Sequence, residues 1–229
     1  MDNWRALLYL PLGMLPAIFF SLRMLVQWLQ SERKKRSFVS PIFWKFSLAG
    51  NLLLYVHHVI QVQYHFAILQ SINALIAWRN LDFLKPTKAH PRRVVFWLLA
   101  ASLAFTTALF LSQGYFLLDE FDWIRTPQKL WNATRQYHST AWHVVGAFGA
   151  ILFASRFWVQ WWVAEFHQKS ELGRSYWYLS ICGSLIVLSY ALHIRDIVVI
   201  FYHLFSLIPY LRNLMLMKRR QNDAQTTSN

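Results

Sequence analysis

Charge is scarce in this chain. Only 14% of its 229 residues are Asp, Glu, Lys or Arg, against about 25% in an average soluble domain, too few to cover a water-facing globule. Acidic residues are scarcest: 10 stand against 23 Lys and Arg, for a net charge of +13. The single cysteine, Cys182, excludes an internal disulfide framework and any multi-cysteine metal site. It sits in the apolar stretch SYWYLSICGSLIVL and reads as inert packing. Also absent are G-x-S-x-G, a phosphate-binding Walker loop, G-x-G-x-x-G, H-E-x-x-H and any close carboxylate pair in an expected cleft. These absences argue against a hydrolase or transferase site on this chain, and no catalytic residue, metal or cofactor is expected.

What is abundant is apolar. Hydrophobic residues make up 56% of the chain and aromatic residues 17%, with a mean hydropathy of +0.27. A chain both oily and basic points to a membrane protein with cationic loops. A nucleic-acid binder would gather its Lys and Arg into a soluble stripe; here they form short clusters between apolar runs, so nucleic acid is not an expected partner. A hydrocarbon core about 30 Å thick needs about 20 helical residues. Residues 94–118 carry no charge and supply one span. The uncharged run 46–78 would reach about 50 Å as one helix. It therefore reads as two helices broken at Gln61-Val62-Gln63-Tyr64-His65. Residues 7–30 are apolar apart from Arg23, Gln27 and Gln30, and read as a retained helix, not a cleaved signal peptide. Residues 141–163, apolar but for Arg156 and Gln160, and residues 175–192 and 197–211 complete a set of seven, in the order three, one, three.

Orientation follows from the loops. Arg33, Lys34, Lys35 and Arg36 follow the first helix; Lys85, Lys88, Arg92 and Arg93 follow the third. Lys169 and Arg174 follow the fifth, and Lys218, Arg219 and Arg220 follow the seventh. All fall on one side if the N-terminus is outside and the C-terminus inside. Arg5, Arg195 and the loop 119–140, with a sequon at Asn132, then face outward.

Shifted by 133 residues, the chain aligns with itself without a gap from Gly13 to Leu81. Arg23 falls on Arg156, Gln27 on Gln160, Trp28 on Trp161, Glu32 on Glu165, Trp44 on Trp177, Ser47 on Ser180, Gly50 on Gly183, and Arg79-Asn80-Leu81 on Arg212-Asn213-Leu214. Three helices per unit is an odd number, and the extra helix restores direction, so the two bundles are expected to run parallel. The expected layout is a first three-helix repeat over 6–85, a linker helix and outer loop over 86–140, a second repeat over 141–217 and a polar cytoplasmic tail over 218–229. Folds built this way place binding sites at the repeat interface.

Each repeat reads R-x3-Q-W-x3-E, then W-x2-S-x2-G, then R-N-L. Arg23 and Gln27 share one helix face; Trp28 and Glu32 share another, about 140° away. A charge at membrane depth costs about 2.5–3.5 kcal/mol on insertion scales, so it should face the protein interior. Guanidinium matches phosphate in a bidentate fork. Arg23, Gln27, Arg79, Asn80, Arg156, Gln160, Arg212 and Asn213 are therefore candidates for binding an anionic lipid headgroup. The competing reading has the arginines pair with Glu32, Glu165 or helix C-terminal carbonyls and lock the bundle. Gly50 and Gly183 read as close-packing points, Trp28 and Trp161 as packing residues, and Trp44 and Trp177 as interfacial belt residues. His57, His58, His65, His143 and His193 map to the outer half, without metal-ligand spacing.

The segment FFSLRMLVQWLQSERKKRSFVSPIFWKFSLAGNLLL, followed by IAWRNL, resembles the lipid-A-disaccharide synthase N-terminal domain family. LFASRFWVQWWVAEFHQKSELGRSYWYLSICGSLIVL, with YLRNL, looks like the same domain again. The second copy departs from the first at Arg174, where the first has Pro41, and at Ala164, where the first has Ser31. The family is similar in helix pattern to the PQ-loop and sugar-transporter (SWEET-like) triple-helix bundles, which implies an all-α polytopic protein of 3+1+3 architecture in a bacterial inner membrane. The resemblance implies a role in lipid A biosynthesis, binding or presenting an anionic glycolipid and extending to its movement between leaflets. Membrane lipids and a cytoplasmic glycosyltransferase are the implied partners. The chain ends in QNDAQTTSN soon after its last apolar run, so residues for sugar transfer are expected elsewhere. A transporter of a small sugar or amino acid, using Asn51 and Asn73, and a membrane scaffold for a glycosyltransferase are the other readings.

Overall fold

The computed structural model describes residues 3–118, 123, 140–193 and 197–226. Asn132, Arg195 and most of the outer loop lie outside the described residues, as does the side chain of His143. Among the described residues there are seven α-helices: α1 (Asn3–Lys34), α2 (Pro41–Ile60), α3 (Tyr64–Phe83), α4 (Arg92–Gln113), α5 (Thr140–His167), α6 (Arg174–His193) and α7 (Ile197–Thr226). A short π-turn, Gly114–Leu118, continues α4. Helix α7 carries on past the last apolar run, so part of the polar segment expected as a tail is helical.

Among the described residues, four stretches are long and apolar enough to cross a membrane: Leu7–Lys34, Arg92–Leu117, Val144–His167 and Arg174–His193. All seven had been expected to cross. Helices α2 and α3 fall short of that apolarity because polar residues interrupt them, Lys45, Asn51, His57 and His58 in one and Gln70, Asn73, Arg79 and Asn80 in the other. The break between α2 and α3 falls where the polar patch predicts it, at residues 61–63, with Val62 in the left-handed region at φ 56°.

The chain folds as two compact units: residues 1–23 with 41–133, and residues 24–40 with 134–229. The first half of α1 thus belongs to the first unit and its second half to the other. Each unit is apolar outside and polar within. Trp162 is 78% exposed and Phe96 75%, whereas Gln27 and Asn213 are 0% exposed. That inverts the soluble pattern and suits a lipid surround, where polar groups must be satisfied internally.

Local geometry repeats with the sequence. Lys35 and Gln168, 133 residues apart, both adopt φ 52° and end α1 and α5. In each turn the next N–H reaches five residues back, Arg36 to the Ser31 carbonyl at 3.2 Å and Lys169 to the Ala164 carbonyl at 3.3 Å, as in a left-handed helix cap. Gly50 lies beneath the Phe20 ring, and Gly183 beneath Phe153, its repeat equivalent. A methyl at Gly50 would meet ring atoms at 2.5 Å; at Gly183 it would meet the Phe153 backbone at 2.6 Å. A ring can turn aside and a backbone cannot. Gly50→Ala and Gly183→Ala should each destabilise the folded protein by about 1–3 kcal/mol, with Gly183→Ala the worse, as read by unfolding in detergent.

Candidate functional site

The candidate residues fall into three kinds of setting. In the first unit, Arg23 lies on the buried face of α1 and donates from Nη1 to Ser47 Oγ on α2 at 3.0 Å. Its guanidinium sits 4.6 Å from the Phe20 ring centre and 5.5 Å from that of Phe43. Trp44 stands edge-on to Phe43, 4.9 Å between centres at 88°. Ser47 in turn donates to the Phe43 carbonyl at 2.8 Å.

The second unit builds the same cluster from the equivalent residues. Arg156 lies 3.4 Å from the Phe153 ring centre and 5.8 Å from Tyr176. Trp177 is edge-on to Tyr176, again 4.9 Å apart, at 89°. Ser180 donates to the Tyr176 carbonyl at 2.6 Å. Two further rings close around this arginine, Phe157 at 4.8 Å and Tyr210 at 5.8 Å, and Arg156 donates to the Tyr210 hydroxyl at 3.5 Å. Aromatic faces attract a desolvated guanidinium electrostatically, so each cage holds a cation inside an apolar shell.

Trp44 and Trp177 are 1% and 0% exposed. This corrects the expectation of interfacial belt residues: their rings pack edge-on behind Phe43 and Tyr176, which face the arginines. Among the described residues, neither indole N–H finds an acceptor, nor does the Tyr176 hydroxyl. A buried unmet donor costs about 1–3 kcal/mol, so these orphans mark where a further acceptor would be stabilised.

A second setting is amide pairing. Gln27 Nε2 donates to Asn213 Oδ1 at 2.8 Å, Asn213 Nδ2 donates back to Gln27 Oε1 at 3.2 Å, and Gln27 also reaches Ser31 at 2.9 Å. Asn213 and its equivalent Asn80 each bind the carbonyl four residues back, those of Pro209 and Ile76. Gln160 donates to the Glu171 carbonyl at 3.3 Å. Trp28 and Trp161 each donate to the carboxylate one turn on, Glu32 at 3.4 Å and Glu165 at 3.2 Å.

The third setting is ionic, and here the repeats part. Arg79 is buried and binds Asp82 at 2.8 Å and the His90 carbonyl at 2.7 Å. The position equivalent to Asp82 is Met215. Arg212 instead forks onto Glu32, its Nε to one oxygen and its Nη2 to the other at 2.9 Å. Arg79 and Arg212 thus have carboxylate partners that lock them in place. The Phe and Tyr rings of the cages were not singled out in the sequence. Phe20 and Phe153 carry a usable signal, being identical in the repeat and one turn before each arginine; Phe43, matched by Tyr176, and Tyr210 carry none.

Asp82, at the last turn of α3, lies beyond the apolar stretch. Burial pushes its carboxyl up, but hydrogen bonds from the His90 side chain and backbone and from Lys85 outweigh this and bring it down from 3.8 to about 2. A carboxyl lowered on folding adds stability that is complete above its unfolded value and is lost as pH falls through the folded one. Unfolding of the wild type in detergent should therefore become easier as pH drops from about 4 toward about 2, and Asp82→Asn should flatten that slope.

Comparison with known proteins adds to this geometry. Residues 12–82 and 145–215 each match the family model described as the Lipid A Biosynthesis N-terminal domain. Among curated proteins, the chain is 32% identical over 209 residues to a lipid-A-disaccharide synthase of Chlamydia muridarum, covering 91% of this chain and 34% of that protein. It is 29% identical over 210 residues to the synthase of Chlamydia felis (92% and 33%), and 30% identical over 217 residues to that of Chlamydia pneumoniae (94% and 34%). The chain spans about a third of the length of the curated relatives it matches. No solved structure matches it.

Proposed function

The chain belongs to the Lipid A Biosynthesis N-terminal domain family, in two tandem copies, and from that membership we propose that it serves lipid A biosynthesis at the bacterial inner membrane by binding and presenting an anionic glycolipid. The observation that carries this reading is the repeated cage: a guanidinium on aromatic faces, one of them packed edge-on against a buried Trp whose indole N–H has no acceptor among the described residues, built from equivalent residues at Arg23, Phe43 and Trp44 and at Arg156, Tyr176 and Trp177. Phosphate brings what that surrounding lacks, negative charge and several acceptor oxygens. A sugar phosphate adds hydroxyls for Ser47, Ser180 and Tyr176.

In this reading all seven helices cross, in 3+1+3 order, with the N-terminus periplasmic and the basic ends of α1, α3, α5 and α7 cytoplasmic. The anionic headgroup then meets the protein on the cytoplasmic side, where a glycosyltransferase would act on it. Movement of the glycolipid between leaflets extends the same reading.

The test uses a monosaccharide lipid phosphate and its dephosphorylated form as probes. Trp44→Phe with Trp177→Phe keeps the cage walls and removes only the two donors. It should weaken binding of the phosphorylated probe by about 10- to 100-fold in native mass spectrometry of the purified protein, and leave the dephosphorylated probe unaffected. Arg23→Gln with Arg156→Gln should remove the preference for phosphate. Equal binding of both probes by wild type and variants would overturn the proposal.

A further inference from the structure

The first unit also contains a cavity unrelated to the cages. It lies between α2, α3 and α4 and has a volume of about 430 Å³, within the range of small-molecule sites. Leu48, Leu52 and Tyr55 line it from α2, Ser71, Ala74, Leu75 and Trp78 from α3, and Leu98, Ser102, Phe105 and Thr106 from α4. Its hydroxyls are turned away from any guest. Ser71 and Ser102 bind carbonyls of their own helices, at 2.8 Å to Ile68 and 2.9 Å to Leu99, and Tyr55 binds Thr106 at 3.2 Å. What remains is a hydrocarbon lining. Leu52, Leu98 and Phe105 on the rim are exposed, so the cavity opens sideways.

Helix register gives the cavity a direction. One end lies at the level of Leu48, Trp78 and Leu98, the other at Tyr55, Ser71 and Thr106, about 12 Å further along α4. The first end approaches the α3–α4 loop, where Lys85, Lys88, Arg92 and Arg93 are all exposed. Asp82 answers Lys85 at 3.1 Å, and the loop still carries an excess of positive charge. A cavity lined with hydrocarbon, open to the side and ending under exposed cations has the polarity of an anionic amphiphile.

The second repeat shows why the space exists. The equivalents of Ser71 and Ala74 are Leu204 and Leu207. Two small residues leave space in the first unit at positions where the second repeat carries leucines.

We propose that this groove holds an acyl chain of an anionic membrane lipid, with the headgroup at the α3–α4 loop. The occupant is a lipid of the surrounding bilayer, and the site is separate from the cages. The probe is phosphatidylglycerol carrying a diazirine on its acyl chain, with the matching phosphatidylcholine as comparison. Each is incorporated into vesicles with the full chain and photolysed, and labelled peptides are mapped by mass spectrometry. Labels should concentrate on the groove faces of α2, α3 and α4 and favour phosphatidylglycerol. Ser71→Leu with Ala74→Leu, which installs the side chains of the second repeat, should cut that labelling by about tenfold in protein whose unfolding in detergent matches wild type. Lys88→Glu with Arg93→Glu should reduce phosphatidylglycerol labelling to the phosphatidylcholine level. The Trp44→Phe, Trp177→Phe protein should label as wild type, so the two proposals fail separately. Labelling spread evenly over the exposed helix faces, or unchanged by the leucine pair, would overturn the groove; equal labelling by both lipids would overturn the anionic headgroup.

Discussion

A guanidinium inside a helical bundle with an oily surface has to be solvated by the protein itself. Much of this fold follows from that need. Arg23 and Arg156 sit on the inward stripe of α1 and α5, and the surrounding side chains are those that tolerate or favour a cation there: ring faces, a serine one turn into the next helix, a tyrosine hydroxyl. Moving either arginine by one residue would rotate it about 100°, away from that stripe. The glycines serve the same end. Gly50 leaves room for the Phe20 ring and Gly183 for the Phe153 backbone, the two residues on whose rings the arginines lie.

Duplication makes these choices visible. Had only one copy carried the cage, it would pass for ordinary packing. Two copies that agree in the edge-on Trp, the serine back-bond and the left-handed turn after the helix show a constraint acting on the unit as a whole. Where the copies differ, they differ in electrostatics. Asp82 stands on the same helix as Arg79, while Arg212 takes its carboxylate from α1.

Much of the fold was legible in the sequence, because the length of uncharged runs and the thickness of a bilayer leave few choices. The seven helices and the break near residue 62 follow from that arithmetic. The expectation that every helix is apolar enough to cross did not hold for α2 and α3, since freedom from charge is not the same as apolarity: Asn51, His57, Asn73 and Asn80 are uncharged yet polar. The polar residues of the site announced themselves by repeating. The rings did not, because Phe and Tyr are common throughout the chain and only distance reveals which of them face a cation. Trp44 and Trp177 were misread as belt residues because position along a helix gives depth but not which way the side chain turns.

The pairing of Glu32 with Arg212, and of Gln27 with Asn213, spans nearly the whole polypeptide. The second half of α1 is made early in synthesis, yet its partners on α7 follow 180 and 186 residues later. The first unit's own buried ion pair, Arg79 with Asp82, needs only neighbouring residues and can close at once. Assembly of the second unit therefore waits on translation, its opening helix standing incomplete until α7 arrives. A gene split between the two repeats would deliver a second half lacking the segment that completes it.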